Sequence, residues 1–303
     1  MPSNSKYNKK IGDILANISE EDRTVLTTKQ FRGSFKLPVL IKKMRNLGLY
    51  DLYADQQRSV YDKRFSFGCV SALAIGFIGF ICFVNDIIAG LTFAMLLVVP
   101  CFLGLLVMRW MNKSSDLAEK DLKNEFRNFL VPLFAALGED IMPNSKVFLD
   151  AAVDDPMHDK YLLSNTEPEG PVRQSIYSYH QNWITASMLF VDRVRLSFEV
   201  ERAGSKIYTT KRRSSGKTKT KGKFKMRTNV QLRMLVPKSH YKKSGQRAAK
   251  QDESRPFLMS FEEQADNFVI KAKYKRKGLP TDHIAVEEFL GLIRQMYSTI
   301  QPI

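Results

Sequence analysis

The sequence predicts an α+β membrane protein: a two-helix transmembrane hairpin, a stalk helix, and a cytoplasmic antiparallel sheet with a C-terminal helix. Two uncharged apolar runs lie back to back at residues 65–84 and 87–108. Three later segments alternate apolar and polar residues with period two, which is typical of strands with one buried face. An apolar pattern with helical spacing then closes the chain.

The region before the apolar runs, residues 1–64, is predicted to be helical and cytoplasmic. Ser19 and Asp22 have the spacing of a capping pair, in which the hydroxyl accepts a backbone N–H at a helix start. Val39, Leu40 and Met44 begin an apolar stripe at helical spacing, beside several lysines. Such a helix lies on anionic lipid or packs on a soluble domain, and the sequence leaves both alternatives open.

The apolar runs give the predicted transmembrane hairpin, residues 65–110. A helix rises about 1.5 Å per residue, so roughly 20 apolar residues cross a hydrocarbon core about 30 Å thick. Asn85 and Asp86 form the turn, and the three cysteines all lie within the runs. The alternative is a buried helical hairpin in a soluble core, although such helices rarely lack a polar face. Basic residues flank the hairpin but not its turn, which predicts two cytoplasmic termini and, in a bacterium, an inner-membrane location.

Two segments connect the hairpin to the sheet domain. Residues 111–138 are predicted to form one stalk helix, kinked near Pro132 and ended by Gly138, because apolar residues recur there at helical spacing. Residues 139–182 are acidic and interrupted by prolines, and we expect them to be rich in loops, with one short element around Val147 to Val153.

Residues 183–303 are predicted to form the cytoplasmic α+β domain. The alternating segments are 194–200, 224–236 and 268–274, with further strands expected at 183–191 and 257–261. Thr281 or Asp282 is the expected cap of the closing helix. Charge is concentrated in this domain, because residues 193–250 hold 19 basic and two acidic residues.

Most of that charge lies in a predicted basic hairpin, residues 206–225. Its candidate contacts for an anionic partner are Lys211, Arg212, Arg213, Lys217, Lys219, Lys221 and Lys223. Gly216, Lys217 and Thr218 suggest a phosphate-binding loop, but that motif requires a glycine where Lys211 stands. A hairpin with its bend at residues 214–216 fits better. Anionic lipid, nucleic acid and an acidic protein surface are the competing targets, and nucleic acid is disfavoured because Phe224 is expected in the core.

The sequence offers little for catalysis or metal binding. The four histidines are scattered and show no metal-ligand spacing. Asp154, Asp155, His158 and Asp159 form a local cluster, which is typical of a solvated turn. We therefore expect no enzymatic activity and no cofactor.

The tight apolar hairpin, the stretch EFRNFLVPLFAALG at residues 125–138 and the GKTKT of residues 216–220 resemble an uncharacterised family of bacterial two-span membrane proteins. The resemblance covers residues 65–236. It implies a β-rich cytoplasmic domain and brings no activity with it.

These observations favour a non-enzymatic scaffold or adaptor subunit of an inner-membrane assembly. Its basic β-hairpin would contact partner proteins or anionic lipid, and homo-oligomers are compatible with this role. The alternative is a membrane-tethered protein that binds nucleic acid or another anionic ligand.

Overall fold

The computed structural model describes residues 4–84, 89–166, 173–212, 216–244, 257–278 and 284–303. These residues divide into two compact units. The first contains residues up to 27 and 46–122, and the second contains 28–45 and 123–303.

The described helices are α1 (Asn4–Asn17), α2 (Glu20–Thr28), α3 (Leu37–Val84), α4 (Ala89–Glu119), α5 (Val131–Ala136) and α6 (Val286–Tyr297). A π-helical turn (Phe126–Leu130) precedes α5, and 3-10 turns lie at Leu137–Glu139 and Asp159–Tyr161. The described strands are β1 (Gln30–Lys36), β2 (Lys146–Ala152), β3 (Leu162–Thr166), β4 (Arg173–Leu189), β5 (Arg195–Arg212), β6 (Thr218–Pro237), β7 (Tyr241–Lys243), β8 (Phe257–Glu263), β9 (Asn267–Gly278) and β10 (Ile300–Pro302).

The first unit is helical. The capping pair before α2 is confirmed: the Asp22 amide donates to the Ser19 hydroxyl at 3.2 Å, and that hydroxyl donates to the Asp22 carboxylate at 2.7 Å. Helices α3 and α4 approach closely at Gly68, where an added Cβ would lie 2.9 Å from the Trp110 ring. The absence of a side chain at Gly68 therefore permits this helix contact.

The predicted transmembrane hairpin is wrong. Among the residues that the structure describes, no helix carries an apolar stretch long enough to cross a membrane. Residues 65–84 are not an element of their own but the last part of α3, which has 48 residues and begins at Leu37. Its first turns carry charged side chains such as Lys42 and Arg45, and α4 likewise runs on into charged turns. The predicted inner-membrane location and cytoplasmic termini were inferred from this hairpin and therefore lose their support. The predicted turn at Asn85 and Asp86 lies outside the described residues.

The second unit is built on an antiparallel sheet of eight strands. Their order is β1-β2-β4-β5-β6-β9-β8, with β3 also paired to β4. β7 and β10 form a separate antiparallel pair. The alternating segments predicted from sequence lie in β5, β6 and β9, because a period-two pattern fits a sheet with one covered face.

The covered face packs against the π-helical turn, α5 and α6. Phe129 of the π-helical turn lies 5.4 Å from Trp183 and 5.8 Å from Phe289, measured between ring centroids. Phe289 of α6 also meets Phe198 of β5 edge to face at 4.9 Å. Such aromatic pairs stabilise a core beyond the area that they bury.

The predicted stalk helix, residues 111–138, is wrong. α4 ends at Glu119, and the next amides bond outside any helix: Leu122 N–H donates to the Asp51 carboxylate, and Lys123 N–H donates to the carbonyl of Val153. Helical structure resumes at Asn124 and passes through the π-helical turn of Phe126–Leu130. From there the chain is helical without a break to Glu139, and Pro132 lies two residues after the end of the π-helical turn, so the irregularity expected near Pro132 is present within this shorter helical segment.

Three further predictions need correction. The acidic segment 139–182 contains β2, which matches the short element expected at 147–153, but also β3 and the first ten residues of β4, which were not expected. The cap of α6 is Ala285, whereas Thr281 and Asp282 lie outside the described residues. The N-terminal region holds a strand, β1, among its helices. Leu40, Met44 and Leu47 of its apolar stripe are buried, which supports the packed alternative and not the lipid-facing one.

β1 was not predicted from the sequence because its aromatic residues, Phe31 and Phe35, are four positions apart, a spacing that also fits a helix. In the strand, the ring of Phe35 folds back over Gly33, where an added Cβ would lie 2.7 Å from Cε2 of that ring. Phe35 also meets Phe31 at 5.4 Å between centroids. Gly33 is therefore required by the packing of Phe35 on the edge strand.

We predict that Gly33→Ala destabilises the protein by about 1–3 kcal/mol, since the new methyl group must displace the Phe35 ring. Thermal and urea unfolding measure this loss. Gly291→Ala is the matched control: it adds a methyl group in α6, where no atom lies within 4 Å, and should be neutral or stabilising. Equal effects of the two substitutions would contradict the explanation.

A buried ion pair joins the π-helical region to the sheet. Nη2 of Arg202 lies 3.4 Å from Oε1 of Glu125, and both side chains are only 5% exposed. The guanidinium of Arg202 also stacks on Trp183, 3.4 Å from the ring centroid. Burial lowers the pKa of Arg202 to about 10, against the opposing attraction of Glu125.

We predict that Glu125→Gln costs about 3–5 kcal/mol of unfolding free energy, because it leaves a buried cation without its counter-charge. Chemical denaturation gives the value. Arg32→Gln is the control, since Arg32 of the Arg32–Asp150 pair is 67% exposed and its removal should cost less than about 1 kcal/mol. A small effect of Glu125→Gln would refute a structural role for the buried pair.

Candidate interface for an anionic partner

The lysines of the predicted basic hairpin lie on one face of β6. Residues directly opposite each other in an antiparallel pair share a face, and the face alternates along each strand. Lys219, Lys221, Lys223 and Lys225 alternate along β6, and all four are exposed. Lys219 stands opposite Lys211 of β5. The hairpin therefore presents a row of ammonium groups on one side.

Strand β9 extends this row across the sheet. Its register places Lys277 opposite Arg227, Lys273 opposite Gln231, and Lys271 opposite Arg233. We call the combined surface the basic face. It consists of Lys211, Lys219, Lys221, Lys223, Lys225, Arg227, Arg233, Lys271, Lys273, Lys275 and Lys277. With a rise of about 3.3 Å per residue, it runs for roughly 45 Å along β6.

Like charges face each other directly across these strands. The pairs are Lys211–Lys219, Arg227–Lys277 and Arg233–Lys271. Such pairs destabilise a sheet, and among the described residues only Lys271 of these six has a close counter-charge, from Glu262 at 2.6 Å. Glu199 and Glu201 lie on the same face of β5, opposite uncharged Gln231 and Asn229. The charge arrangement thus favours an anion that comes from outside the chain.

The predicted contact residues are only partly brought together. Lys211, Lys217, Lys219, Lys221 and Lys223 are exposed at the end of the hairpin. Arg212 ends β5 opposite Thr218 rather than opposite a lysine, and Arg213 lies outside the described residues. β6 begins at Thr218, two residues after Gly216, whose φ of +77° suits a bend, so the GKT sequence leads into a strand and not into a helix.

The other face of the hairpin carries aromatic residues. Tyr208 lies 6.0 Å from Tyr177 and 6.4 Å from Phe224, edge to face in both pairs. Phe224 is 43% exposed, so the expectation that it is a core residue is wrong. The alternation continues correctly through β6, but the layer that covers the sheet does not extend this far along the hairpin.

The acidic loop cluster has a structural role. Asp154 is buried and accepts hydrogen bonds from Tyr161 Oη at 2.7 Å and Gln181 Nε2 at 3.0 Å, with Lys160 Nζ at 2.6 Å. These contacts fix the loop to β4, so Asp154 is not part of a solvated turn. Nδ1 of His158 accepts from the Lys160 amide.

Two further polar groupings were not predicted from the sequence. Carboxylate oxygens of Asp51, Asp55 and Asp121 lie within 4.8 Å of one another, and these residues also hold the Leu122 amide and Arg58. A cleft of about 730 Å³ between Leu137, Phe190 and Ile293 has Asp192 at its wall.

Asp192 accepts hydrogen bonds from the hydroxyls of Tyr241 and Tyr297. Burial, together with the Asp192 charge, raises the pKa of Tyr241 to about 12 and that of Tyr297 still further. Both tyrosines therefore remain neutral donors at physiological pH, which suits a structural role and not proton transfer.

Comparison with known proteins gives no relative. No protein-family model matches the chain, and neither a curated protein nor a solved structure shows significant similarity to it.

We predict that Lys211→Glu stabilises the end of the hairpin by up to about 1 kcal/mol, because it turns a like-charge pair with Lys219 into an attractive one. Slower amide hydrogen exchange near the ends of β5 and β6 would show the gain. Lys42→Glu, on the exposed side of α3, controls for the change in net charge and should leave hairpin exchange unchanged. Faster exchange in Lys211→Glu would contradict the like-charge argument.

Proposed function

We propose that this protein is a non-enzymatic adaptor that holds an acidic segment of a partner protein on its basic face. The observation that carries the proposal is the set of three directly opposed cationic pairs, two of which, Lys211–Lys219 and Arg227–Lys277, have no close counter-charge among the described residues. Such pairs lower the stability of a sheet, and a bound polyanion would relieve them. Charged groups arranged in this way favour rapid and selective association with an oppositely charged partner.

The spacing of the lysines favours a polypeptide partner. Alternate residues of β6 place charges roughly 6.6 Å apart, which is also the spacing of alternate side chains in an extended acidic chain. Proteins that bind single-stranded nucleic acid add stacking aromatics to their basic surface. Among the described residues, the aromatic rings of this hairpin lie on the face opposite the lysines.

The test is the binding of a fluorescent glutamate-rich peptide to the full chain, measured by anisotropy at low and high salt. Simultaneous substitution of Lys217, Lys219, Lys221 and Lys223 by Ala should weaken binding by at least about tenfold, which corresponds to about 1.4 kcal/mol. Added salt should weaken wild-type binding, since exposed charge pairs are screened.

The matched control replaces four exposed lysines elsewhere, Lys9, Lys42, Lys63 and Lys120, and removes the same charge without altering a directly opposed cationic pair. This variant should bind the peptide with an affinity within about twofold of wild type if the position of the lysines, and not the net charge, determines the affinity. Equal losses in the two variants would refute the proposal. If a duplex oligonucleotide bound more tightly than the peptide at the same salt concentration, and with the same dependence on the lysines, the result would identify a nucleic acid as the partner in place of an acidic protein segment.

Contact with the surface of an anionic bilayer is a second candidate function. It is favoured by exposed apolar residues on α3 and α4, which include Phe67 at 73% and Leu105 at 67% exposure. Exposed basic residues, such as Arg64 and Arg109, lie on the same helices. Apolar groups beside cationic groups are typical of lipid-contacting surfaces. Sedimentation with phosphatidylglycerol vesicles that is weakened by Phe67→Asn and unaffected by the four hairpin substitutions would support this candidate.

A further inference from the structure

Part of β6 is an unpaired sheet edge among the described residues. β5 accompanies β6 along its length, from Thr218 opposite Arg212 to Leu235 opposite Arg195. β9 accompanies it only from Met226, which pairs with Gly278, to Pro237. Residues 218–225 thus have a described strand on one side only, and all of them are exposed. Half of their backbone N–H and C=O groups point away from β5.

This edge is held in an extended conformation before any partner binds. The hydroxyls of Thr210 and Thr220 are 3.0 Å apart across β5 and β6. Tyr208 bridges the rings of Tyr177 and Phe224 on the aromatic face. β4 supports β5 as far as the Arg173–Thr210 pair. Binding to a preformed edge therefore costs little ordering of the protein itself.

The side chains of the edge select for a particular sequence pattern. One face offers Lys219, Lys221, Lys223 and Lys225, whereas the other offers Thr218, Thr220, Gly222 and the half-exposed Phe224. Lysines on an open edge also discourage pairing with another copy of the same basic strand. An incoming strand would match the edge if acidic residues alternated with hydroxyl or apolar ones.

We infer that the acidic partner segment binds by strand addition, as a new β-strand along residues 218–225. This inference rests on the proposed function, because it specifies how the same hairpin recognises its partner. Backbone hydrogen bonds to the open edge supply part of the affinity, and the lysine row and Phe224 supply selectivity through alternate side chains.

The test uses the full wild-type chain and peptides of alternating Glu and Thr. One peptide is N-methylated at its Glu amides and another at its Thr amides, so that charge and composition are identical. In an added strand, the amides of alternate residues point toward β6, so one methylated peptide should bind at least about tenfold more weakly than the other. Alternate amides of residues 218–225 should also exchange at least about tenfold more slowly when the unmethylated peptide is bound.

Equal binding of the two methylated peptides, together with unprotected amides at 218–225, would overturn strand addition. If the unmethylated peptide still bound, and its binding depended on salt and on the hairpin lysines, the adaptor function would stand without strand addition. Failure of every peptide to bind would overturn both proposals.

Discussion

The pairing of β5 with β6 is the constraint on which the rest of the second unit depends. Eighteen consecutive residue pairs, from Arg195–Leu235 to Arg212–Thr218, fix the register without a slip. A shift by one residue would turn the lysines toward the helices and turn Val230, Leu232 and Met234 toward water. The burial of those three side chains therefore determines where the charges of the hairpin lie.

The same pairing explains how the sheet tolerates repelling charges. Near Val200 and Phe198, helices cover one face and the strands are buried deeply. Among the described residues, no helix covers the end of the hairpin at 218–225, yet this end continues the register set in the core. The core supplies the stability that the like-charged pairs reduce, so the exposed end can retain charges that oppose folding.

Local patterns in the sequence predicted much of the sheet but little of its assembly. The alternation around Phe198, Val230 and Ile270 identified three strands, because a half-buried strand has apolar residues on its buried face and polar residues on its exposed face in strict alternation. Nothing in that alternation shows that β9 lies between β6 and β8, so the union of the β6 and β9 lysines into one surface could not be predicted. The pairing of distant strands depends on the whole core and leaves no local signal.

Other predictions failed because one pattern is compatible with two structures. Phe31 and Phe35 fit a helix by spacing, but Gly33 allows the second ring to fold over a strand. The apolar run at residues 65–84 was long enough for a membrane span, but length does not show where a helix begins, and α3 begins at Leu37. Phe224 continues the alternation of the apolar face of β6, but among the described residues no helix covers that face at Phe224.

The stacking of Arg202 on Trp183 has a practical consequence for following the molecule in solution. The chain has two tryptophans, and Trp110 belongs to the helical unit while Trp183 belongs to the sheet unit. Each unit therefore contains its own single fluorophore. Replacing Trp110 by Phe leaves an indole whose ring lies 3.4 Å from a buried guanidinium, so its emission spectrum reports directly on the junction of the sheet with the π-helical turn.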